Sequence, residues 1–323
     1  MEKFPKSWLL EAAERIEPYI THTPLTYDPE NQIYLKWENH QVTGSFKARG
    51  AFNKVFSLSE RERQLGLVAA SAGNHGQGVA LAASRAGASA IVFASEHAVA
   101  AKVEAMRKLG ADVRLVPGGY GEAELEGLEY ARSSGATWVS PYNDPHVIAG
   151  QATAALESWE ELAQQPSMTW IVPAGGGGLV SGVGVALESL SSEAKKPARL
   201  LAVQSEASPF LHDIYRHGSQ SNSRELPSLA DGLAGPVEPG SLTIPLVTRL
   251  VDDFILVSEA EIAHAIAYCW QRYHERIEGS AAAGLAAVLS GTVSQRPAAV
   301  LISGGNIQPE LHEKIVSEYG LYG

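Results

Sequence analysis

Short apolar runs alternate with segments of helical periodicity along almost the entire chain. The apolar runs are too short for helices, and segments of helix length separate them. The runs are residues 33–37, 67–71, 89–94, 112–116, 169–172, 199–204 and 298–302. A regular strand–helix–strand rhythm is typical of parallel sheets whose two faces are both covered by helices. We therefore predict an α/β protein.

The alternation falls into two series that meet near residue 144. We predict two lobes, each an open, mostly parallel sheet flanked by helices, with a cleft between them. In such sheets, ligands bind beyond the carboxyl ends of the strands. The stretch 218–240 is rich in Ser, Pro and Gly, and we predict that it is irregular.

Composition excludes several classes of protein. Of the 323 residues, 45% are hydrophobic and 19% are charged, so a large core can form. The net charge of −11 argues against nucleic-acid binding, which needs a basic surface. The single cysteine, Cys269, excludes a disulfide framework and is expected in the core. The N-terminus lacks a signal-peptide pattern and no long apolar run is present, so we expect no membrane span and a cytoplasmic location.

Lys47 stands at the head of a helix predicted over 45–58, directly after a polar turn. Gly44 gives the turn conformational freedom, and the hydroxyl of Ser45 is placed to cap the helix. A cation in the first turn is unfavourable against the helix dipole, so this amine loses its proton more easily than most. A neutral amine is a nucleophile. From this stretch alone, an exposed and solvated lysine is the alternative.

Three loops follow predicted strands and open helices: 71–75, 175–178 and 303–306. Each offers small residues and free backbone N–H groups, which is the arrangement that holds an anion. Four consecutive glycines, Gly175 to Gly178, carry a large entropy cost and favour the close approach of a phosphate. A tight turn is the alternative, although it needs fewer glycines. Neither a nucleotide P-loop nor a dinucleotide fingerprint is present.

A cofactor with both an aldehyde and a phosphate would suit a nucleophilic lysine, a phosphate loop and a hydroxyl-bearing loop at strand ends. Pyridoxal 5'-phosphate (PLP) is such a cofactor. At this point, ordinary capping roles for Asn74, Ser303 and Glu278 and a loop role for His75 remain open.

From Thr23 to Asn306, the chain resembles the fold-type-II PLP enzymes, specifically the threonine/serine dehydratase and serine racemase group. The resemblance rests on K-x-E-N-x-Q-x-T-G-S-F-K-x-R-G-A around Lys47 and, in order, S-A-G-N-H-G-Q, D-P-x-V-I-A-G-Q, G-G-G-G-L and A-D-G. It implies the two-lobed fold of the tryptophan synthase β-subunit. Residues 1–65 and 144–323 would form the large PLP-binding domain, and residues 66–143 a small domain that closes over the substrate.

The resemblance also implies a role for each site residue. Lys47 would bind PLP as a Schiff base and move the proton at the substrate α-carbon. The other residues implied to contact the cofactor are Phe46, Asn74, Gly175, Gly176, Gly177, Gly178, Leu179, Gly232, Glu278 and Ser303. Among these, the glycine loop and Leu179 would hold the phosphate, Asn74 the ring hydroxyl and Ser303 the ring nitrogen. The substrate would be bound by Ser71, Ala72, Gly73, Asn74 and His75.

Within this group, the expected reaction is β-elimination from a 3-hydroxy amino acid such as L-threonine or L-serine, which yields a 2-oxo acid and ammonia. Racemases of the group offer a serine directly before the glycine of the G-N-H motif, whereas this chain has Ala72. Racemisation is therefore the alternative, and a catalytically silent protein that binds PLP or an amino acid is a further one. Cysteine synthase relatives carry S-V-K-D-R at the lysine, so β-replacement is less favoured.

Two further expectations concern partners and metals. Relatives are often homo-oligomers, so we expect a dimer or tetramer that acts on a small amino acid. Some relatives bind a divalent metal through an acidic residue where this chain has Gln204, and a later ligand falls at Phe210. Glu206 is close but offset. We therefore predict no divalent site of that kind, and leave open a monovalent cation.

Overall fold

The computed structural model describes residues 4–162, 168–191 and 198–320. Its helices are α1 (Lys6–Ile16), α2 (Lys47–Ser57), α3 (Glu60–Gln64), α4 (Asn74–Arg85), α5 (Ala100–Lys108), α6 (Tyr120–Ser134), α7 (Pro145–Leu162), α8 (Gly178–Ser191), α9 (Phe210–His217), α10 (Thr243–Leu250), α11 (Glu259–Tyr273), α12 (Gly279–Leu289) and α13 (Pro309–Tyr319). Its strands are β1 (Leu25–Asp28), β2 (Ile33–Trp37), β3 (Leu67–Ala70), β4 (Ala90–Ser95), β5 (Asp112–Val116), β6 (Thr137–Trp138), β7 (Thr169–Pro173), β8 (Arg199–Ser205), β9 (Asp253–Val257) and β10 (Ala298–Ile302).

The larger sheet has six strands in the order β1-β2-β10-β7-β8-β9. Only the β1–β2 pair is antiparallel, with Leu25 opposite Lys36; the remaining pairs are parallel. Successive residues of β7 face opposite cores, as the twofold period of a strand requires. Trp170 lies in the core beneath α7 and α8, whereas Ile171 lies in the core beneath α11 and α12. Helices therefore cover both faces, as predicted.

The smaller sheet has four parallel strands in the order β5-β4-β3-β6. One face packs on α4 and α5, and Val92 is in that core. The other face packs on α6, and Phe93 is in that core. Helix α2 also contributes Phe52 to the α4 side, so it packs against the smaller sheet's helices although it precedes them in sequence.

The prediction of an α/β protein with two mostly parallel sheets is confirmed. Strands β2, β5 and β10 have the predicted bounds. The prediction missed helices α3 and α10 and strands β6 and β9; β9 forms an edge of the larger sheet. The 218–240 stretch is irregular as predicted, apart from a 3-10 turn at Asp231–Leu233. The sequence predicts a helix over 145–164; α7 begins at Pro145 as predicted and is described to Leu162, and the last two predicted positions lie outside the described residues.

Cys269 is fully buried in the core beside α12, as expected, and burial raises the pKa of its thiol. Over the described ranges, none of the helices combines the length and apolar character that crossing a bilayer requires.

Helices α2, α7 and α8 approach one another closely because glycines stand at their contacts. A Cβ built on Gly150 of α7 would lie 2.6 Å from the carbonyl oxygen of Arg49 on α2. A Cβ on Gly182 of α8 would lie 2.8 Å from the carbonyl oxygen of Ile148 on α7. These contacts are with backbone, which cannot move aside as a flexible side chain can. The first turns of α2 are therefore pressed directly onto α7.

We predict that Gly150→Ala lowers the free energy of unfolding by about 1–3 kcal/mol, because the added methyl group overpacks the α2–α7 contact. Chemical denaturation measures the change. The matched control is Gly121→Ala in α6, where a Cβ would meet nothing within 4 Å. That substitution removes a helix glycine without a clash, so it should be neutral or stabilising by up to about 1 kcal/mol. Equal destabilisation by both would contradict the packing argument.

Candidate active site

The turn before α2 is fixed by the loop that follows β10. Thr43 and Gly44 adopt positive φ values of 64° and 72°, which reverse the chain. The extended segment that follows pairs with the β10 loop, since Ser45 forms an antiparallel bridge with Gly304. The N–H of Phe46 donates to the carbonyl oxygen of Ser303 at 3.0 Å. Lys47 therefore begins its helix at the carboxyl ends of β2 and β10.

Ser45 does not cap α2, contrary to the sequence expectation. Its backbone is extended, the N-cap position belongs to Phe46, and no side chain caps that position. The Ser45 hydroxyl is buried and has no hydrogen-bond partner among the described residues. The pairing of Ser45 with Gly304 takes the place of a cap in fixing where the helix starts.

The amine of Lys47 lies in the cleft between the two sheets. Its Nζ donates to the carbonyl oxygen of Pro141 at 2.9 Å and lies 5.3 Å from the centre of the Phe46 ring. Burial lowers the pKa of Lys47 to about 8, although the Glu278 carboxylate acts in the opposite direction. The sequence-based prediction of a depressed pKa is therefore confirmed, but burial is the main cause. A substantial fraction of the amine is neutral near physiological pH.

Beneath Lys47, Arg49 is the centre of a buried cluster of four charges. Its guanidinium is fully buried and donates to both oxygens of Glu38, at 2.7 and 2.8 Å, and to both oxygens of Glu157, at 2.6 and 2.9 Å. Lys36 donates to Glu157 at 2.8 Å and to the carbonyl oxygen of Thr23 at 2.8 Å. Burial opposes the charge on Arg49, but Glu38 and Glu157 raise its pKa above the ordinary value. The cluster joins β2, α2 and α7.

The Ser71–His75 loop ends at the N-terminus of α4. The helix begins at Asn74, three residues before the helix that the sequence predicts over 77–86. Its first internal hydrogen bond runs from the Gln77 N–H to the carbonyl oxygen of Gly73 at 3.1 Å. The N–H groups of Asn74, His75 and Gly76 therefore have no partner within the helix. This is a helix terminus that suits a carboxylate. Ala72 is exposed in the same loop.

The glycine loop Gly175–Gly178 leads into α8, which begins at Gly178. Gly177 has a φ of +90°, a conformation that favours glycine. A Cβ on Gly175 would lie 2.9 Å from the Cα of Leu233, and the ring of Tyr142 lies directly against Gly176. Pro141, the residue before Tyr142, accepts the hydrogen bond from Lys47. Pro141 and Tyr142 therefore bring the lysine and the glycine loop to the same cleft.

A hydrogen-bonded chain of two side-chain amides and one carboxylate lies beside Lys47. The Asn74 side chain donates to Glu278 at 2.7 Å and accepts from the Asn306 side chain at 2.7 Å. Glu278 occupies the N-cap position of α12, but its side chain does not cap the helix, so the capping alternative is wrong. Burial, with Asp231 nearby, raises the pKa of Glu278 to about 7, and Lys102 and Asn74 act in the opposite direction.

The Asp231–Leu233 turn packs against Gly175 of the glycine loop. The N–H of Gly232 donates to the Ser280 hydroxyl at 2.9 Å, and the Gly232 carbonyl oxygen would lie 3.1 Å from a Cβ on Gly175. Asp231 forms an ion pair with Lys102 of α5 at 3.2 Å. This pair joins the larger sheet's loops to a helix of the smaller sheet.

The residues aligned with the divalent-metal site of some relatives have other partners here. The Gln204 side chain donates to the carbonyl oxygen of Leu233 at 3.3 Å and accepts from the His212 N–H at 3.1 Å. Glu206 is exposed. Within the described parts of the chain, no three His, Cys, Asp or Glu side chains are grouped to hold a metal ion.

Comparison with known proteins places the chain in a family. The model of the pyridoxal-phosphate dependent enzyme family matches residues 12–304. The chain belongs to this family. It is 42% identical over 315 residues to the L-threonine ammonia-lyase of Thermotoga maritima, covering 95% of this chain and 77% of that protein. A catabolic L-threonine dehydratase of Staphylococcus aureus is 40% identical, covering 92% and 87%. A maize serine racemase structure superposes with a TM-score of 0.86 at 31% identity, covering 97% of each chain.

The site fits the cofactor of the pyridoxal-phosphate dependent family. A partly neutral amine at the half-buried Lys47 suits an aldehyde. The start of α8 suits a phosphate, because the first bond of this helix runs from the Ser181 N–H to the Gly177 carbonyl oxygen at 2.9 Å and leaves the N–H groups of Gly178, Leu179 and Val180 without a partner in the helix. Ser303 is buried at the end of β10, next to Phe46. The expectation of PLP and the resemblance to this family are confirmed.

Several residues of the site were not anticipated. Pro141 contributes only a backbone carbonyl, which has no side-chain signature in a sequence. Asn306 closes the hydrogen-bond chain to Asn74 and also donates to the carbonyl oxygen of Thr43 at 2.8 Å. Its position directly after Gly304 and Gly305 was the available signal. The pairing of Lys102 with Asp231 depends on the packing of the two lobes, so no local sequence pattern indicates it.

We predict that Arg49→Met destabilises the fold by about 3–5 kcal/mol, because the buried Glu38 carboxylate would lose its cationic partner and Glu157 would keep only Lys36. Denaturant unfolding measures the loss. Arg132→Met is the matched control, since Arg132 also pairs bidentately with a carboxylate, Glu129, but on the exposed face of α6. The control should change stability little. A loss for Arg49→Met no larger than the control's would contradict the assigned role of the cluster.

We predict that Glu278→Gln lowers the pKa of Lys47 below about 8, because the carboxylate is the group that favours the ammonium form. The neutral amine predominates above its pKa, so the pH profile of the reaction of Lys47 with an aldehyde should move to lower pH. The rate of colour formation when apoprotein meets PLP measures this. Glu310→Gln removes an equal charge at an exposed position and should leave the profile unchanged. A shift to higher pH would refute the assignment.

Proposed function

We propose that this protein is a PLP-dependent dehydratase that eliminates the hydroxyl group from a 3-hydroxy amino acid such as L-threonine or L-serine. The products are a 2-oxo acid and ammonia. The observation that carries the proposal is the half-buried Lys47 amine, with its lowered pKa, in one cleft with the glycine loop and the free N-terminus of α4. Close relatives named threonine ammonia-lyase and threonine dehydratase have the same activity in their names.

Each group has a role in this reaction. When bound, the cofactor supplies an aldehyde for the amine and a ring that takes up negative charge. Gly175 to Gly178 and Leu179 would hold the phosphate through main-chain N–H groups, and Phe46 and Gly232 would contact the ring. Asn74 would donate to the ring hydroxyl, and Ser303 would be the partner of the ring nitrogen. A neutral serine at that nitrogen leaves it without a carboxylate partner, which favours prompt elimination.

The substrate carboxylate is received by the Ser71–His75 loop at the start of α4. The free Lys47 amine takes the proton from the α-carbon, and a nearby acid gives a proton to the β-hydroxyl group, which leaves as water. The released enamine then exchanges its nitrogen for the oxygen of a water molecule, which gives the 2-oxo acid and ammonia. Pro141, as an acceptor for Lys47, orients the amine during the proton transfer.

Residues 66–143 are proposed to act as the small domain that closes over the substrate. The contacts that cross the cleft support this division: Asn74 with Glu278 and Lys102 with Asp231. A dimer or tetramer and a cytoplasmic location stay predictions.

Racemisation is the second candidate, and the likeness to the maize serine racemase structure favours it. A racemase that works on both faces of the α-carbon needs a proton donor opposite Lys47. Ala72 has no exchangeable proton, so the loop lacks the serine that would fill this role. A silent binding protein is disfavoured by the intact set of Lys47, glycine loop and Ser303.

The experiment that tests the proposal is a 2-oxo acid assay over a panel of 3-hydroxy amino acids, with chiral analysis of the serine that remains. Formation of 2-oxobutanoate from L-threonine or pyruvate from L-serine is expected. D-Serine in excess of pyruvate would establish the racemase instead. Absence of both, in protein that carries PLP, would leave the binding protein.

We predict that Lys47→Ala abolishes both the yellow colour of the bound cofactor and the release of 2-oxo acid, because Lys47 is the amine whose pKa is lowered to about 8 in this site, whereas Lys102 is held in an ion pair with Asp231. Absorbance spectroscopy and the 2-oxo acid assay measure the two losses. Lys108→Ala, at an exposed position of α5, is the control and should retain both. Retained turnover in Lys47→Ala would overturn the role of Lys47.

A further inference from the structure

His75 is held in one tautomer by the backbone. Its side chain is 4% exposed, and its Nε2 lies 2.8 Å from the carbonyl oxygen of Val139. A carbonyl oxygen only accepts hydrogen bonds, so Nε2 must carry the proton. Burial, together with the Lys47 cation, lowers the pKa of His75 to about 3, so the ring is neutral. Nδ1 is therefore a bare acceptor.

That acceptor has no partner in the described part of the chain. His75 Nδ1 is buried and makes no hydrogen bond there. Buried polar atoms of folded proteins are nearly always paired, so an unpaired acceptor at an active site calls for a donor. A substrate carboxylate is not that donor, because its oxygens would face the Nδ1 lone pair. The His75 contribution to the carboxylate site is thus restricted to its main-chain N–H.

Lys47 is the cation that acts on His75, since its charge helps to lower the pKa of the ring. The carbonyl groups that accept from His75 and Lys47 belong to Val139 and Pro141, two residues apart in one segment. Helix α4 lies directly on the first turn of α2, since a Cβ on Gly78 would be 3.2 Å from the Lys47 carbonyl oxygen. An ammonium group has three N–H donors, and Pro141 accepts from one of them.

We propose that His75 is a positioning residue whose Nδ1 accepts a hydrogen bond from the Lys47 ammonium once that lysine has taken up a proton. The bond stabilises the charged form without removing its proton, because the ring itself stays neutral. The other charged group that acts on Lys47 is Glu278 from the start of α12, and Asp231 and Lys102 act on Glu278 in turn. His75 and Pro141 together fix the direction of the protonated amine.

Two substitutions separate the two ring nitrogens. In His75→Asn the amide oxygen can take the place of Nδ1, whereas in His75→Gln the amide nitrogen can replace Nε2 and keep the bond to Val139. The measurement is the pH dependence of Lys47 acylation by acetic anhydride in the apoprotein, followed by mass spectrometry of the Lys47 peptide. We expect His75→Gln to lower the pKa of Lys47 by about one unit. His75→Asn should stay close to the wild type.

Equal shifts in the two variants, or a shift only in His75→Asn, would overturn the proposal, because the anchor to Val139 would then be the atom that matters. A second measurement does not depend on the variants folding. Histidine ¹⁵N spectra of the wild-type apoprotein should show His75 protonated at Nε2 and unprotonated at Nδ1 down to pH 5. A proton on Nδ1 would refute the tautomer. Both readouts use apoprotein, so they succeed or fail independently of the dehydratase assay.

Discussion

Arg49 donates to two carboxylates from different elements, and the placement of Lys47 depends on this interaction. Glu38 follows β2 and Glu157 lies on α7, so the guanidinium fixes α2 against both at once. The planar fork of arginine suits two bidentate pairs, which lysine cannot form. Buried charges are costly unless every donor and acceptor is satisfied. Here the charges of two cations and two carboxylates balance. Thr23 donates to Glu38 and accepts from Lys36, and Thr153 accepts from Arg49. The hydrogen bonds of Arg49 therefore fix the position of α2 relative to β2 and α7.

Above this cluster, the site is assembled from the ends of helices rather than from their faces. Helices α2, α4, α8 and α12 all begin at the cleft, with Lys47, Asn74, Gly178 and Gly279 as their first residues. Parallel strands make this possible, because each strand delivers the chain to the same edge before the next helix begins. Two of these ends, those of α4 and α8, present free N–H groups to anions. The cleft can therefore hold a carboxylate and a phosphate, while the burial of Lys47 keeps its own charge easy to remove.

The sequence predicted the elements whose signal is local. Strand β2 and the glycine loop were recognised because a short apolar run and four glycines are unambiguous in themselves. Edge strand β9 and helix α10 were missed, since both are short and only partly buried and lie beside an irregular stretch. Ser45 shows the limit most clearly. Its position before a helix predicts a cap. Its conformation is instead decided by pairing with Gly304, which is far away in sequence. No local pattern contains that contact.

Electrostatics in the cleft explain why one lysine can act on one face of the substrate. Burial lowers the pKa of Lys47, Glu278 opposes this, and the neutral His75 ring accepts without competing for the proton. The Ser71–His75 loop has Ala72 directly before Gly73, and a methyl group neither gives nor takes a proton. In the proposed reaction Lys47 takes the α-proton, and returning that proton on the same face only regenerates the starting stereoisomer. Loss of the β-hydroxyl is the path that remains, which is why the same residues favour elimination over racemisation.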